Sequence, residues 1–459
     1  MTPMSNTINL ISNKGVTFQN AFVNAPICCP SRSTLLTGLY SHNTGVRNNS
    51  VSGGCASLKW RTEFEPNSIA PLLKQSGYQT FYAGKYLNQY GTKSGGGASH
   101  VPVGWDSWYG LIGNSCYYNY TLSENGRAVR YTDTYLTDLI KDKATEFLDN
   151  INDEPYFMML ATPAPHAPFT PAPRHRDRFP NVQALRTPAF NYTPTNKHWL
   201  LQMPPNNLPG DVSHLDQIQE HRFESLLAVD EMVQRIVSKV ERTGQLNNTF
   251  VIYTSDNGFH IGQFVQPWDK RQPYDTDIRV PLLIRGPGLR PKTISQIPVQ
   301  SVDLAPTILQ MAEHPVPSNM DGRPLLNEII NEQNDARVQW HSYILIEYHG
   351  EGDGKTNDEL CPWKFDSTLS ECSTESWCKC QDAKNNTYNC VRQLSLTKDF
   401  LFCRFIDSEN FVEAYDIKSD KYQLQNIFNE MTKNDIATYD IILQKLINCS
   451  GVHCRNLQL

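Results

Sequence analysis

Short apolar runs alternate along the chain with longer stretches in which apolar residues return every three or four positions. YQTFYAG, over 78–84, predicts a buried strand running into a Gly-Lys turn. YFMMLA, over 156–161, predicts a second buried strand, broken by the Pro-rich loop TPAPHAPFTPAPRH. TFVIYTSDNG, over 249–258, predicts a third with polar residues at its carboxyl end, and VPLLIRGPG predicts a fourth that runs into a turn. Between them, Pro30 opens a short helix that Gly38 stops, and a helix over 68–76 ends at Gly77. Leu136, Leu139, Ile140, Phe147 and Leu148 mark one face of a helix over 131–150. Further helices are expected over 215–243, closed by Gly244, and over 302–312. The Pro- and Asn-rich residues 171–210 predict a long surface excursion.

Strands alternating with helices predict an α/β fold, a large mostly parallel sheet sandwiched by helices. Beyond about residue 335 the pattern changes. Strand-like pieces at 342–348, 400–405 and 411–415 and a helix near 434–446 predict a smaller C-terminal α+β domain. The expected division is therefore 1–335 and 336–459. In such sheets sites lie at the carboxyl ends of strands. Gly84-Lys85, His166 and Asp256-Asn257 all fall at such ends.

Composition narrows the class. The chain has 459 residues, 39% hydrophobic and 10% aromatic, which is globular rather than disordered. Its net charge of −6 is spread along the chain, and no basic block suits nucleic acid or an anionic membrane. No run approaches the ~18 apolar residues of a membrane span. MTPMSNTINL shows no basic segment followed by an apolar one, so no signal peptide is visible. Of 12 cysteines, Cys361, Cys372, Cys378, Cys380, Cys390, Cys403, Cys449 and Cys454 crowd the C-terminal region. Their spacing does not suit zinc and predicts disulfides in an oxidising compartment. Sequons at Asn48, Asn119, Asn191, Asn247, Asn385 and Asn448 point the same way, to a glycosylated secretory protein.

The chemistry gathers around APICCPSRSTLLTG, residues 25–38. Cys28 and Cys29 could be buried filler, a disulfide, metal ligands or a reaction centre. They stand at a predicted helix start, where backbone N–H groups favour an anion, and Arg32 lies about one turn on. Lys85, His166 and Lys270 are each unremarkable alone. Asp256-Asn257-Gly258 could be a turn, yet its two side-chain oxygens suit a hard cation such as Ca²⁺. His260 follows closely. Together these residues suit a tetrahedral oxyanion beside a divalent metal.

Cys28-Cys29-Pro30-Ser31-Arg32, followed by STLLTG, resembles the C-x-P-S-R signature of type I sulfatases. GYQT…GK, PHAPF, DNG and Lys270 follow in that family's order, and the likeness runs over nearly the whole chain. The resemblance implies the alkaline-phosphatase-like fold and a formylglycine nucleophile made from Cys28 by a formylglycine-generating enzyme. It further implies Arg32 as its support, Ca²⁺ on Asp256, Asn257 and the formylglycine, and sulfate held by Lys85, His166 and Lys270. Cys29 is then the variable position, expected to be plain packing. Leu87 stands where some relatives have a histidine, so His260 is a candidate substitute for the acid, with Asn88 a second candidate substrate contact. The finer likeness implies the 6-O-sulfate of N-acetylglucosamine in heparan or keratan sulfate as substrate, lysosomal location, and room for a homodimer. Other readings are an arylsulfatase, an extracellular endosulfatase, a phosphodiesterase or phosphonate hydrolase, and a non-catalytic glycan-binding fragment. The family's first strand carries an adjacent Asp pair. Here no Asp precedes Asp106, so the chain is expected to lack that strand and half the metal site, and to be weakly active or inactive.

Overall fold

The computed structural model describes residues 2–151, 154–333, 343–350, 381–407 and 409–457. In chain order its main elements begin with α1 (Ser5–Leu10), β1 (Val16–Phe18), α2 (Cys28–Thr37), α3 (Ile69–Gln75) and β2 (Gln79–Gly84). There follow β3 (Ser107–Leu111), β4 (Tyr120–Glu124), β5 (Arg127–Tyr131), α4 (Leu136–Asn150) and β6 (Tyr156–Ala161). Then come α5 (Ser213–Arg242), β7 (Val251–Thr254), β8 (His260–Ile261), β9 (Trp268–Asp269), β10 (Leu282–Arg285), β11 (Thr293–Ser295) and α6 (Leu304–Met311). The C-terminal part holds β12 (Tyr343–Tyr348), β13 (Tyr388–Leu394), β14 (Asp399–Phe405), β15 (Val412–Asp416) and α7 (Lys433–Ile447).

The α/β architecture is present, with its strands in two sheets of mixed direction. A five-stranded sheet runs β5-β4-β3-β2-β6, with β2 parallel to both β3 and β6 and the other pairs antiparallel. A four-stranded sheet runs β11-β1-β10-β7, parallel only at β1–β11. Helices cover both faces of the first sheet. Leu136 and Ile140 of α4 and Val229 and Met232 of α5 pack on Phe81, Ala83 and Leu122. Leu36 of α2, Leu73 of α3 and Leu309 of α6 pack on Tyr82 and Trp108. Central β2 is therefore buried, as its sequence predicts. β6 is half-exposed over 156–160 despite its apolar sequence, because it is the sheet's outer strand with one side unpaired. β7 is half-exposed for the same reason.

Several boundaries differ from expectation. α2 begins at Cys28, before Pro30, because proline is tolerated within a first turn. It ends as predicted at Gly38, whose φ of 66° lets its N–H reach the Thr34 carbonyl. α4 starts only at Leu136, because Tyr131 closes a β4–β5 hairpin turning at Asn125-Gly126, with φ of 48° and 88°. The stretch 171–210 is not all surface: Lys197, His198, Leu200 and Leu201 are buried within it.

The C-terminal strands form one antiparallel sheet, β12-β13-β14-β15. The sheet's alternation serves two neighbours. Ile344, Ile346, Leu401 and Tyr415 join Val16, Phe18, Leu282 and Ile284 in one core. Leu345, Val391, Phe402 and Ala414 face Tyr439 and Leu443 of α7. Disulfides link Cys390 to Cys403 on paired strands and Cys449 to Cys454. The expected division at 335/336 and Cys361, Cys372, Cys378 and Cys380 lie outside the described residues.

Candidate active site

The centre of the site is the first turn of α2. Cys28 is free and buried, 1% exposed. Cys29 is not plain packing: it is disulfide-bonded to Cys55. The link closes because the chain turns back at Gly53-Gly54, where φ is 99° at Gly54. The same loop supplies Asn49, whose Oδ1 accepts from the Cys29 N–H at 2.9 Å and satisfies an otherwise open helix donor. Both devices fix the helix start and leave the Cys28 thiol as its one uncommitted sulfur.

Arg32, one turn on, points its guanidinium to two partners. Nε donates to Asp256 Oδ2 at 2.7 Å and Nη1 to the Lys85 carbonyl at 2.6 Å. Tyr82 donates its hydroxyl to that same carbonyl. Burial works against the Arg32 charge, but Asp256, Tyr82 and Cys28 outweigh it and hold its pKa above the ordinary value. Lys85 follows β2, where Gly84 has φ of 111° and an added Cβ would lie 2.0 Å from the Ala161 carbonyl oxygen. Only glycine lets β2 pass β6 this closely and deliver Lys85 to the strand end. Lys85 is 1% exposed and donates to Asn114 Oδ1 at 2.9 Å. Burial first, then Arg32 and Lys270, lower its pKa against the pull of Cys28 and Asp256.

His166 enters from the loop after β6. Its Nδ1 lies 2.7 Å from the Ala167 carbonyl, which can only accept, so the proton sits on Nδ1 and Nε2 carries a lone pair. Burial, then Lys270 and Lys85, hold its pKa well below the usual histidine value. Lys270 follows β9. Burial opposes its charge, yet Cys28 and Asp269 raise its pKa. Asp256 stays ionised: Arg32, Lys85 and Lys270 lower its pKa against burial.

The structure thus brings Cys28, Arg32, Lys85, His166, Asp256 and Lys270 into one electrostatic cluster. Asn88 joins it through Asn114, 3.4 Å from its Nδ2. Asp277 oxygens lie 3.0 and 3.1 Å from His260 Nδ1, which leaves only Nε2 of that ring open. Leu87 is fully buried among Tyr86, Tyr90 and Trp108, so no polar group replaces the histidine of some relatives there. Asn257 Oδ1, His260 Nε2 and Asn88 Oδ1 are buried without a hydrogen-bond partner among the described residues. Buried polar atoms elsewhere in the chain share this state, so it shows that these three are available to a ligand rather than that one is bound. Asn49 and Asn114 were not read from the sequence. Asn114 sits in an ordinary Gly-Asn-Ser turn, and only the fold gives it Lys85.

As a metal site the cluster is partial. Asp256 and the orphaned Asn257 Oδ1 suit Ca²⁺, which takes about six to eight oxygens. Among the described residues no group of three acidic, histidine or cysteine side chains could hold a metal. These residues alone do not complete a calcium shell. A cavity of about 310 Å³ begins nearby at Pro168, but Asp177, Glu220 and Glu224 line it. Arg176 and His221 line it too, but the three carboxylates outnumber them and disfavour sulfate.

The fold and this cluster of a free cysteine, three cations and a neutral histidine suit a hydrolase acting on a compact oxyanion ester. The sulfatase family pattern matches residues 2–314, and the chain belongs to the sulfatase family. It is 45% identical over 463 residues to N-acetylglucosamine-6-sulfatase of Homo sapiens, covering 99% of this chain and 83% of that one. It is 39% identical over 359 residues to the putative extracellular sulfatase Sulf-1 homolog of Caenorhabditis elegans, covering 75% of this chain and 49% of that one. Among solved structures it matches a protein in complex with its substrate D-glucosamine-2-N,6-O-disulfate. That match has TM-score 0.74 and 25% identity and covers 97% of this chain and 91% of that one. A phosphonate monoester hydrolase from Silicibacter pomeroyi shares the fold, with TM-score 0.70 and 18% identity over 99% of this chain and 91% of that one. Among the described residues no helix is long and apolar enough to cross a membrane.

Proposed function

We propose that this sulfatase removes the 6-O-sulfate of N-acetylglucosamine units in glycosaminoglycans of the heparan or keratan type. The observation that carries it is a free cysteine at a helix start, ringed by Arg32, Lys85 and Lys270 with a neutral His166. The relative of human origin, which is named for this 6-sulfatase activity, supports the choice of ester.

Cys28 is the residue for conversion to formylglycine. That group, when present, supplies the hydroxyl that takes the sulfuryl group and a second that releases sulfate. Arg32 fixes the helix start against Asp256. Lys85 and Lys270 bind sulfate oxygens and stabilise charge as the ester bond breaks. His166, with Nδ1–H committed to Ala167, offers Nε2 as proton acceptor. The proton for the departing sugar oxygen comes from Lys85, whose burial makes its ammonium a better acid. Asp256 and Asn257 are this chain's contribution to a Ca²⁺ site. The open Asn88 Oδ1 and His260 Nε2 meet the sugar. All six sequons are at least partly exposed, which suits a glycosylated lysosomal protein.

Two measurements on protein from a secretory expression host test this. Peptide 25–38 should be about 18 Da lighter at Cys28 than the thiol form. The modified protein should hydrolyse 4-methylumbelliferyl N-acetylglucosamine 6-sulfate faster than phosphodiesters or other sulfate esters. An unmodified thiol refutes the nucleophile. Modified protein that prefers another ester refutes the substrate.

A further inference from the structure

Lys197 belongs to no part of the site described above, yet it is among the most unusual side chains in the molecule. It is fully buried, at 0% exposure. Its ammonium lies 4.2, 4.0 and 4.3 Å from the ring centroids of Phe264, Tyr274 and Tyr415. No carboxylate forms an ion pair with it among the described residues. Instead Nζ donates to the Tyr415 hydroxyl at 2.7 Å. Tyr415 and Tyr274 each donate onward to Glu413 Oε2, at 2.8 and 2.9 Å. The next backbone N–H, of His198, donates to Glu413 Oε1 at 2.7 Å. A desolvated ammonium in an aromatic cage is held by the ring quadrupoles, an interaction that strengthens as water is excluded.

The cage joins three parts of the chain. Lys197 comes from the 171–210 excursion, and Tyr415 and Glu413 come from β15. Phe264 and Tyr274 bracket the segment that carries Lys270. That segment is conformationally costly. Phe264 and Val265 have φ of 55° and 59°, and Arg271 has φ of 102°. Non-glycine residues in that region persist only where the surroundings over-determine them. At the Arg271 end, the Tyr388 hydroxyl donates to its carbonyl at 2.9 Å. At the Phe264 end, the ring packs at 4.7 Å against Tyr274, and Lys197 sits over both.

We propose that Lys197 is a positioning residue for Lys270: its caged ammonium clamps both ends of the strained segment to β15, fixing where Lys270 meets the sulfate. The inference rests on the reading of Lys270 as a sulfate-binding residue. The groups facing the ammonium are Glu413, Asp420, Tyr274 and Tyr415. Burial lowers its pKa to about 8 against the pull of Glu413 and Asp420, so it is charged at neutral and acid pH.

A double-mutant cycle on the full chain tests this, with kcat/KM for the 6-sulfate ester as the readout. Lys197→Met alone should lose about 10- to 100-fold, the range for a catalytic group displaced by an ångström or less. In a Lys270→Met background the same change should cost less than about threefold, because its route to catalysis is already gone. Should Lys197→Met fail to fold, Tyr415→Phe removes the acceptor while keeping the ring, and the same non-additivity is expected at smaller amplitude. Equal losses in both backgrounds, or Lys197→Met at the wild-type rate, overturn the proposal alone. Lys270→Met at the wild-type rate overturns the reading of Lys270, and the positioning role with it.

Discussion

His166 shows how one carbonyl and two cations set a chemical role. The Ala167 carbonyl fixes the proton on Nδ1, and burial with Lys270 and Lys85 keeps the ring neutral. A histidine whose pKa is depressed in the folded protein gains its proton only well below its usual value. The acid limb of kcat/KM due to His166 therefore lies well below pH 6.5, the ordinary value. Removing a neighbouring positive charge must raise that pKa. In Lys270→Met the residual activity should be much lower, and its acid limb should move to higher pH. A pH profile of the residual kcat/KM checks this. A limb that stays in place, or moves to lower pH, would show that Lys270 does not govern the His166 charge.

At the scale of elements, glycine and disulfide geometry place the site. Gly84→Ala puts a Cβ against the Ala161 carbonyl and keeps an unfavourable φ. It should cost about 2–3 kcal/mol and move Lys85 enough to lower kcat/KM more than about tenfold. Gly77→Ala is the control: its φ is 83°, but nothing lies within 4 Å of the new Cβ, so only stability should fall. Urea unfolding and steady-state rates on both variants separate the two effects. The Cys29–Cys55 bond closes a separation of 26 residues and anchors α2. Replacing both by alanine should cost about 3.5 kcal/mol by loop entropy, read as a lower urea midpoint. These elements also show what the sequence could disclose. β2, β6 and α5 were legible because a buried or amphipathic element must repeat its apolar pattern locally, and α2 because Pro30 and Gly38 mark its ends. The spatial grouping of Cys28, Arg32, Lys85, His166, Asp256 and Lys270 was legible because each sits in a short motif at a strand end or helix start. The β4–β5 hairpin is marked in the sequence only by Asn125-Gly126, because Tyr131 falls on the apolar spacing that the helical pattern of α4 continues. The Cys29 bond, Asn114 and Lys197 were not legible, since each depends on a partner 26 or more residues away.

On the scale of the whole molecule, the C-terminal sheet shares an apolar core with β1 and β10 and is tied to the segment before β10 by charge. Arg392 on β13 is fully buried, with its guanidinium 4.4 Å from the Phe22 ring centroid. It pairs with Asp275, just before the Asp277 that holds His260, and with Asp399 at 2.8 Å. Asp275 also pairs with Arg279 at 2.9 Å, so the cluster binds β13, β14 and the approach to β10 together. Replacing Arg392 by leucine leaves Asp399 without its ion pair and Asp275 with Arg279 alone, both carboxylates partly buried, whereas surface pairs such as Lys59–Glu63, both more than half exposed, carry little. The leucine variant should lose about 1–3 kcal/mol. Because one apolar cluster spans β1, β10, β12 and β14, the loss should appear in the unfolding of the entire chain rather than of its C-terminal part alone. Tryptophan fluorescence and far-UV circular dichroism should give coincident urea transitions in both proteins, with the variant's shifted to lower urea. Two separated transitions in the wild type, with only one moved in Arg392→Leu, would mean that the C-terminal sheet folds independently of the site it supports.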